Sequence, residues 1–263
     1  MALTRSMGPR TLRMCALYPD LMNIYADRGN LLVLERRCAW RGIAFELTGS
    51  GLGEPLDPDR YDLFYIGGGQ DRDQRLCAED LLLNKRASLH AAAARNAIVL
   101  GVCGGYQLLG RAYTIDDEQI EGVGLLDVRT VRAAGPRLIG NVAIEVSLDG
   151  APAGGRAGSG PDSSRRVLAG FENHGGRTHL GPGADPLGRV LKGHGNDGHS
   201  GYEGARQGHT IGTYLHGPLL PKNAWLADWL IATALGLAPE DLQPLDDALE
   251  DEAHHSARRA AGT

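Results

Sequence analysis

Residues 98–110 read IVLGVCGGYQLLG, a short apolar run followed by a cysteine, two glycines and a second apolar run. This order predicts a buried strand ending at Cys103, a tight turn over Gly104 and Gly105, and then a helix. Such a turn lifts a nucleophilic side chain clear of the sheet, and small neighbours let the backbone bend and the substrate approach. The helix would point its positive dipole end and its N–H groups at the sulfur. The alternative is a buried structural cysteine in an ordinary strand-to-helix turn.

Strand-like and helix-like segments alternate around this stretch. Strands are predicted at 12–18, 43–47 and 61–66, with helices at 31–41 and 76–95. Alternation of this kind is typical of an α/β fold, a central, mostly parallel sheet flanked by helices on both faces. Sites in such folds lie outside the carboxyl ends of the strands. Cys103 and the turn Gly67-Gly68-Gly69 both follow predicted strands, so we expect them at one edge of the sheet.

The second half of the chain is predicted to contain short strands and one long helix. The strands are 125–132, 142–148, 166–170, 190–191 and 210–215, and the helix is 222–235. Residues 149–164 are rich in Gly, Ala, Ser and Pro, which predicts a flexible insertion at a hairpin. We expect residues 1–10 to be a flexible N-terminus and 238–263 to be a frayed helix or a disordered tail. Residues 11–237 would then form one domain.

Composition limits the class of protein. The 263 residues are 42% hydrophobic and 22% charged, which is ordinary for a soluble globular chain. The net charge of −5 gives no reason to expect a nucleic-acid or anionic-membrane partner. No apolar run approaches the roughly 18 residues of a membrane span, and the N-terminus lacks the apolar region of a signal peptide. The four cysteines show no paired or metal-ligand spacing, which favours the reducing cytoplasm.

The histidines offer two candidate bases for the thiol. His216 follows the predicted strand 210–215, as Cys103 follows its own strand, and the ends of parallel strands converge at one edge. His216 is therefore the predicted base, with His174 as the second choice. His174 and His179 could also be metal ligands, but no nearby group completes a ligand set, so no metal site is predicted.

Four segments together resemble a known family. They are IGGGQDR at 66–72, CGGYQ at 103–107, GFENHGGRT at 170–178 and GTYLHGP at 212–218. The cysteine turn and the distant strand-end histidine resemble class I, or triad-type, glutamine amidotransferases, and YLHG resembles their cobyric acid synthase-like branch. In that order along the chain, the four are similar to the GatD family of lipid II isoglutaminyl synthase subunits.

This resemblance implies hydrolysis of glutamine to glutamate and ammonia. Cys103 would attack the side-chain amide, and His216 would take the thiol proton and return it to the departing ammonia. The Gly67-Gly68-Gly69 turn and the N–H groups that follow Cys103, beginning with Gly104, would stabilise the oxyanion. Arg137 matches the arginine that binds the α-carboxylate of glutamine, a task suited to a guanidinium, and Gln107 would help to position the substrate.

One departure from the family pattern concerns the group that orients His216. Most triad amidotransferases carry an acid two residues after this histidine, whereas Gly217 and Pro218 follow it here. Glu172 is one candidate for the missing acid. A carboxylate donated by a partner subunit is another.

The resemblance also implies a partner. The chain contains no GxxxxGK[ST] phosphate loop, so no cofactor is expected on it, and ATP and magnesium would bind a Mur-ligase-like subunit, MurT. That subunit would amidate the α-carboxyl of D-glutamate in lipid II to D-isoglutamine, as part of peptidoglycan synthesis by a heterodimer. Two alternatives stay open. They are an amidotransferase subunit serving a corrinoid or other carboxylate, and a non-catalytic amidotransferase-like module.

Overall fold

A computed structural model describes residues 10–23, 28–115, 118–132, 135–148 and 165–263. The predicted insertion at 149–164 and nearly all of the predicted flexible N-terminus lie outside these residues. The first half of the chain forms strands β1 (Thr11–Leu17), β2 (Ala44–Ser50), β3 (Leu63–Ile66) and β4 (Ile98–Val102) and helices α1 (Arg28–Ala39), α2 (Asp71–Asp80), α3 (Arg86–Ala94) and α4 (Gly104–Leu109). A π-helical turn, Leu81–Lys85, joins α2 to α3.

Short strands dominate the second half, as expected. They are β5 (Ala112–Ile115), β6 (Glu118–Glu121), β7 (Val128–Arg132), β8 (Leu138–Ser147), β9 (Arg165–His174), β10 (Gly176–Leu180), β11 (Gly188–Lys192), β12 (Tyr202–Glu203), β13 (Ala205–Gln207) and β14 (Thr210–Thr213). The helices are α5 (Ala224–Ala234) and α6 (Ala248–Ala261), with single 3-10 turns at Leu220–Lys222 and Pro239–Asp241.

The central sheet has six strands in the order β13-β14-β4-β3-β1-β2. All neighbours are parallel except the edge pair β13 and β14, which confirms the predicted mostly parallel sheet. Every residue of β3 and β4 is buried, because strands at the centre of such a sheet are covered on both faces. That helices form this cover on both sides stays a prediction.

Two further sheets, which the sequence does not predict as separate layers, come from the second half. One has the order β10-β7-β5-β6 and the other β12-β11-β8-β9. Strand β9, in the sheet β12-β11-β8-β9, is joined to the segment that follows β14 by two backbone hydrogen bonds between Phe171 and His216. This pairing places the GFENHGGRT segment beside the end of β14.

Of the two alternatives for the C-terminal tail, the disordered one is wrong for residues 248–261, which form the helix α6. Helix α6 packs against β8 and the turn Leu220–Lys222. At its start, Asp247 accepts a hydrogen bond at 2.7 Å from Arg37, which is 1% exposed and also bonds Asp228 at 2.6 Å. Near its end, Asn141 Nδ2 donates to Ala260 O at 3.1 Å. The sequence of the tail has no long apolar stripe, and these polar anchors lie far away along the chain.

Candidate active site

The turn at Cys103 has the strained backbone that a nucleophile elbow requires. Cys103 has φ +54° and ψ −109°, a region that L-residues seldom adopt and that occurs mainly at functional sites. Its side chain is 8% exposed. Its N–H donates to Thr213 O at 2.8 Å, which fixes the turn to the neighbouring strand β14. The thiol therefore stands at the carboxyl edge of the sheet, between β3 and β14.

The two glycines after Cys103 are required by close packing against the 67–69 turn. A Cβ on Gly105 would overlap the carbonyl oxygen of Ile66, and a Cβ on Gly104 would lie 3.1 Å from Gly69 N. The Gly105 N–H donates to Gly67 O at 3.0 Å. Neither position has room for a side chain, so the first turn of α4 packs directly against the end of β3.

This packing corrects the set of N–H groups available to an oxyanion. The Gly105 N–H is occupied by Gly67 O, so the expectation that successive N–H groups after Cys103 point at the site is too broad. Gly104, at the first position of α4, has no intrahelical acceptor for its N–H. The position of a Cβ on Gly104 lies 3.1 Å from Gly69 N. The N–H groups of Gly104 and Gly69 are therefore the candidates for an oxyanion site, and this role, like that of Gly67 and Gly68, stays a prediction.

His216 lies at the same edge, three residues beyond the end of β14, the strand next to β4. Thr213 pairs with Val102 across the parallel strands, so Cys103 and the 214–216 segment leave the sheet side by side. His216 is 2% exposed, and its backbone bonds Phe171 at 3.0 and 3.1 Å. Burial lowers the pKa of His216 to about 4, and the nearby charges of Lys222 and Arg137 act in the same direction. At neutral pH the imidazole is uncharged and can accept a proton.

His174 is a packed residue with a fixed tautomer. Its ring stacks on Tyr214 with centroids 3.6 Å apart and planes 2° from parallel. Its Nδ1 lies 2.9 Å from Gly176 O, and because a carbonyl only accepts, Nδ1 carries the proton. Burial lowers the pKa of His174 to about 4. The geometry gives His174 a role in supporting Tyr214, two residues before His216.

Glu172, one candidate for orienting His216, has other partners. It is fully buried and accepts the N–H groups of His194 at 2.6 Å and Gly195 at 2.9 Å. Burial raises the pKa of Glu172. Its Oε2 lies 4.0 Å from Nε2 of His174. The carboxylate is therefore committed to the 193–195 loop, and the expectation that it orients His216 receives no support.

Arg137 lies just before β8, with an exposed guanidinium close to the site. Its Nε donates to Asn173 Oδ1 at 2.8 Å and its Nη2 to Asn173 O at 2.7 Å. Arg137 Nη1 and Arg132 lie 3.7 and 3.6 Å from the position of a Cβ on Gly175. The side chain is thus oriented by Asn173, and its charge reaches both His174 and His216.

Gln107 reaches the site through Tyr214. Its Nε2 donates to the Tyr214 hydroxyl at 3.2 Å, and this hydroxyl lies 2.6 Å from Thr178 Oγ1. Thr178 Oγ1 is in turn 2.7 Å from Thr130 Oγ1. This chain of hydrogen bonds fixes the ring on which His174 stacks. Its presence gives Gln107 a positioning role in addition to the predicted contact with substrate.

Sequence reasoning missed two buried residues, Tyr214 and Glu203. Tyr214 stood inside the quoted GTYLHGP segment, so its position next to the histidine was the available signal. In the sequence, Glu203 lies between Gly201 and Gly204, where an acid normally implies solvent exposure. In the structure Glu203 is fully buried and accepts hydrogen bonds from Thr213 and Tyr214.

The arrangement suits nucleophilic attack on a carbonyl-type carbon. It combines a thiol on a strained turn, a neutral imidazole just beyond the end of the next strand, backbone N–H groups at the start of α4 and an oriented guanidinium. Among the described residues, no group of three or more His, Cys, Asp or Glu side chains is placed to hold a metal ion. In the same part of the chain, no helix has the length and apolar character needed to cross a membrane.

Comparison with known proteins agrees with this chemistry. Residues 13–224 match the family described as CobB/CobQ-like glutamine amidotransferase domain. The chain is 35% identical to the GatD subunit of lipid II isoglutaminyl synthase (glutamine-hydrolyzing) from Streptococcus pneumoniae, over 86% of this chain and 82% of the relative. It is also 35% identical to the GatD subunit from Staphylococcus aureus, over 91% of this chain and 90% of the relative.

Two further similarities differ from these in sequence identity or in the share of the matched protein that they cover. A cobyric acid synthase from Pelotomaculum thermopropionicum is 35% identical over 63% of this chain but only 31% of its own length. Among solved structures, PurLQS from Thermotoga maritima superposes with a TM-score of 0.56 and 18% identity, covering 93% of this chain and 98% of that one. This last likeness concerns the fold alone.

Proposed function

The chain belongs to the CobB/CobQ-like glutamine amidotransferase family, and we propose that it is the glutamine-hydrolysing subunit of a lipid II isoglutaminyl synthase. The observation that carries the proposal is the elbow at Cys103, whose backbone is bonded to the strand that ends before His216. The similarity to two GatD subunits over more than four fifths of each chain supports the choice of acceptor pathway.

In the proposed reaction, Cys103 Sγ attacks the side-chain amide carbon of glutamine. His216 accepts the thiol proton, and the tetrahedral oxygen receives hydrogen bonds from the N–H groups of Gly104 and Gly69. Collapse of the intermediate breaks the C–N bond, while His216 donates its proton to the leaving ammonia. Water, deprotonated by His216, then hydrolyses the thioester to glutamate and restores the thiol.

Substrate selection falls to the guanidinium of Arg137 in this proposal. Two of its nitrogens are held by Asn173, which leaves Nη1 for the α-carboxylate of glutamine. A guanidinium that is already oriented loses little freedom when it binds a carboxylate. Gln107 acts mainly by holding Tyr214.

The group that orients His216 is assigned here to a partner subunit. Pro218 stands where most triad amidotransferases have an acid. The half-buried Lys222 lies beside Gly217, with Nζ 3.6 Å from the position of a Cβ on that residue. Lys222 and Arg137 make the surroundings of His216 positive. A carboxylate brought by the partner would be attracted to this position, so docking would complete the site and couple hydrolysis to synthesis.

The synthetic half of the reaction is assigned to a Mur-ligase-like partner, MurT, in the cytoplasm. The chain has no GxxxxGK[ST] loop, so ATP and magnesium would bind the partner and activate the α-carboxyl of D-glutamate in lipid II. Ammonia released into water becomes ammonium at neutral pH and loses its nucleophilicity. Direct transfer within a heterodimer avoids this loss and gives D-isoglutamine.

The test is reconstitution with glutamine labelled with heavy nitrogen in its side-chain amide. We expect labelled amide in lipid II only when the chain, a Mur-ligase-like subunit, ATP, magnesium and labelled glutamine are all present. Cys103→Ser should stop this transfer, and high ammonium should restore amidation because the ligase needs only the nucleophile. Amidation of lipid II by the chain alone, or amidation of a corrinoid carboxylate in its place, would contradict the proposal.

A further inference from the structure

The segment 213–216 connects the anchor of Cys103 to the base. At one end, Thr213 O accepts the N–H of Cys103 at 2.8 Å. At the other end, His216 pairs with Phe171 on β9. Pairing of β14 with β4 stops at Thr213, so residues 214 and 215 leave the central sheet without a ladder. The separation of the thiol and the imidazole depends on how the chain bends between these two anchors.

One buried carboxylate holds this bend. Glu203 Oε1 accepts the Tyr214 N–H at 2.6 Å, and Oε2 accepts the Thr213 hydroxyl at 2.9 Å. The same hydroxyl accepts the N–H of Leu215 at 3.0 Å. All four side chains are fully buried. Both carboxylate oxygens are used: Glu203 bonds Thr213 and Tyr214 directly, and it reaches Leu215 through the Thr213 hydroxyl.

Glu203 is itself held rigidly. The next residue, Gly204, exchanges two hydrogen bonds with Asn196, both at 2.9 Å. Gly204 has φ +66°, and a Cβ there would lie 2.6 Å from Gly212 O on β14. The loop can therefore approach the strand closely only with glycine at this position. A carboxylate mounted on such a support loses little entropy when it holds the bend.

We infer that Glu203 is a positioning residue for the proposed glutaminase, and that its carboxylate sets the bend which places the His216 imidazole relative to Cys103. The inference rests on the proposed function. Burying a carboxylate is unfavourable even when it is hydrogen-bonded. Burial raises the pKa of Glu203, and the hydrogen bonds from the Tyr214 N–H and the Thr213 hydroxyl oppose that rise by favouring the ionised form. A role in positioning His216 would explain why a group that is costly to bury lies directly beside residues 213–216.

The experiment compares Glu203→Gln with two variants of its partner, Thr213→Val and Thr213→Ser. A glutamine side chain offers one acceptor oxygen where two are needed, and valine removes the hydroxyl that links Glu203 to Leu215. Both should lower kcat by about 10- to 100-fold, the range expected for a small displacement of catalytic groups, with a much smaller change in KM. Thr213→Ser keeps the hydroxyl and should recover most of the loss.

A matched control separates positioning from general destabilisation. Leu12→Ala removes a fully buried side chain near the amino end of β1, far from the carboxyl edge. The rate of Cys103 alkylation by iodoacetamide is followed against pH in each variant, because it reports the thiol and imidazole without requiring turnover. Glu203→Gln and Thr213→Val should shift this profile, and Leu12→Ala should leave it in place at a comparable loss of Tm.

The outcomes distinguish this inference from the proposed function. If the wild-type chain with its ligase partner shows no glutaminase activity, the proposed function fails. If the wild type is active through Cys103 but Glu203→Gln and Thr213→Val both keep its kcat and its alkylation profile, Glu203 has only a structural role. If Glu203→Gln does not fold, the inference is tested with Thr213→Val alone. The double variant should be no slower than the slower single one, because both substitutions break one contact.

Discussion

The imidazole of His174 lies flat against the phenol ring of Tyr214, 3.6 Å away and 2° from parallel. The ring of Tyr214 is in turn fixed by the hydroxyl of Thr178 and the amide of Gln107. Since Tyr214 precedes His216 by two residues, the two histidines have separate tasks in the proposed mechanism. His174 packs behind residues 213–216, and His216, at the end of that segment, is the proposed base.

The first prediction concerns the nucleophile. Cys103→Ser should fold normally and lose glutaminase activity, and an electrophilic glutamine analogue should label Cys103 alone. The other three thiols are fully buried, and burial raises the pKa of Cys15, Cys38 and Cys77 to about 12, so they carry almost no thiolate. Peptide mapping by mass spectrometry checks this. Labelling of any of these three, with activity retained in Cys103→Ser, would overturn the assignment.

The second prediction separates the two histidines. His216→Ala should abolish turnover because no other group would take the thiol proton. His174→Ala should retain a measurable fraction, since it removes a stacking partner of Tyr214, and His174→Phe should retain more because a ring is kept. Steady-state glutaminase rates with the ligase partner provide the measurement. A lower residual rate in His174→Ala than in His216→Ala would show that the base has been wrongly chosen.

The third prediction concerns substrate binding. Arg137→Ala should raise KM for glutamine by about 10- to 150-fold, equivalent to the roughly 1.5–3 kcal/mol of a hydrogen bond to a charged group. The change should be mainly in KM if the contact is equal in the ground and transition states. Arg137→Lys keeps the charge but loses the planar guanidinium, so its KM should lie between those of the wild type and Arg137→Ala. An unchanged KM in both variants would return Arg137 to a surface role.

The fourth prediction concerns stability and pH. The pKa values of His174 and His216 are lowered to about 4 in the fold from 6.5, so the unfolded chain binds protons first as the pH falls. Their contribution to stability is complete above pH 6.5 and is lost between 6.5 and 4. Each histidine should account for about 2–3 kcal/mol of this loss at pH 4.5.

Urea unfolding of the wild type and of His174→Phe at pH 7 and pH 4.5 measures the effect. The variant keeps an aromatic ring on Tyr214 but cannot bind a proton. Its stability should therefore fall less on acidification than that of the wild type. An equal fall in both proteins would mean that His174 is not held in its neutral form by the fold.

The fifth prediction concerns the C-terminal helix. Arg37 is 1% exposed and joins Asp228 on α5 to Asp247 at the start of α6. Arg37→Ala should cost about 1.5–3 kcal/mol, because Asp247 loses its charge-assisted hydrogen bonds to a buried guanidinium, whereas Asp228 keeps those from Arg41. Its neighbour on α1, Arg36, is exposed, so Arg36→Ala is the matched control and should change stability by about 0.5 kcal/mol or less. Similar unfolding curves for the two variants would refute this role of the buried pair.

Local sequence was sufficient for much of the fold. An apolar run ending in Cys-Gly-Gly predicted the strand, turn and helix around Cys103, and the alternation of segments predicted the parallel sheet. His216 was found because it follows a strand, as Cys103 does. These features are encoded by neighbouring residues, whose propensities and spacing act over a few positions.

Other features follow from contacts between distant parts of the chain. Glu203 lies in a glycine-rich stretch of sequence that gives no sign of its burial. Glu172 bonds a loop and not the base, and α6 is held by an arginine more than 200 residues away. A side-chain hydrogen bond has no period in the sequence, because its partners meet only after the sheet has formed. The sequence by itself therefore determined which groups stand at the edge of the sheet, and the tertiary structure decided which of them touch.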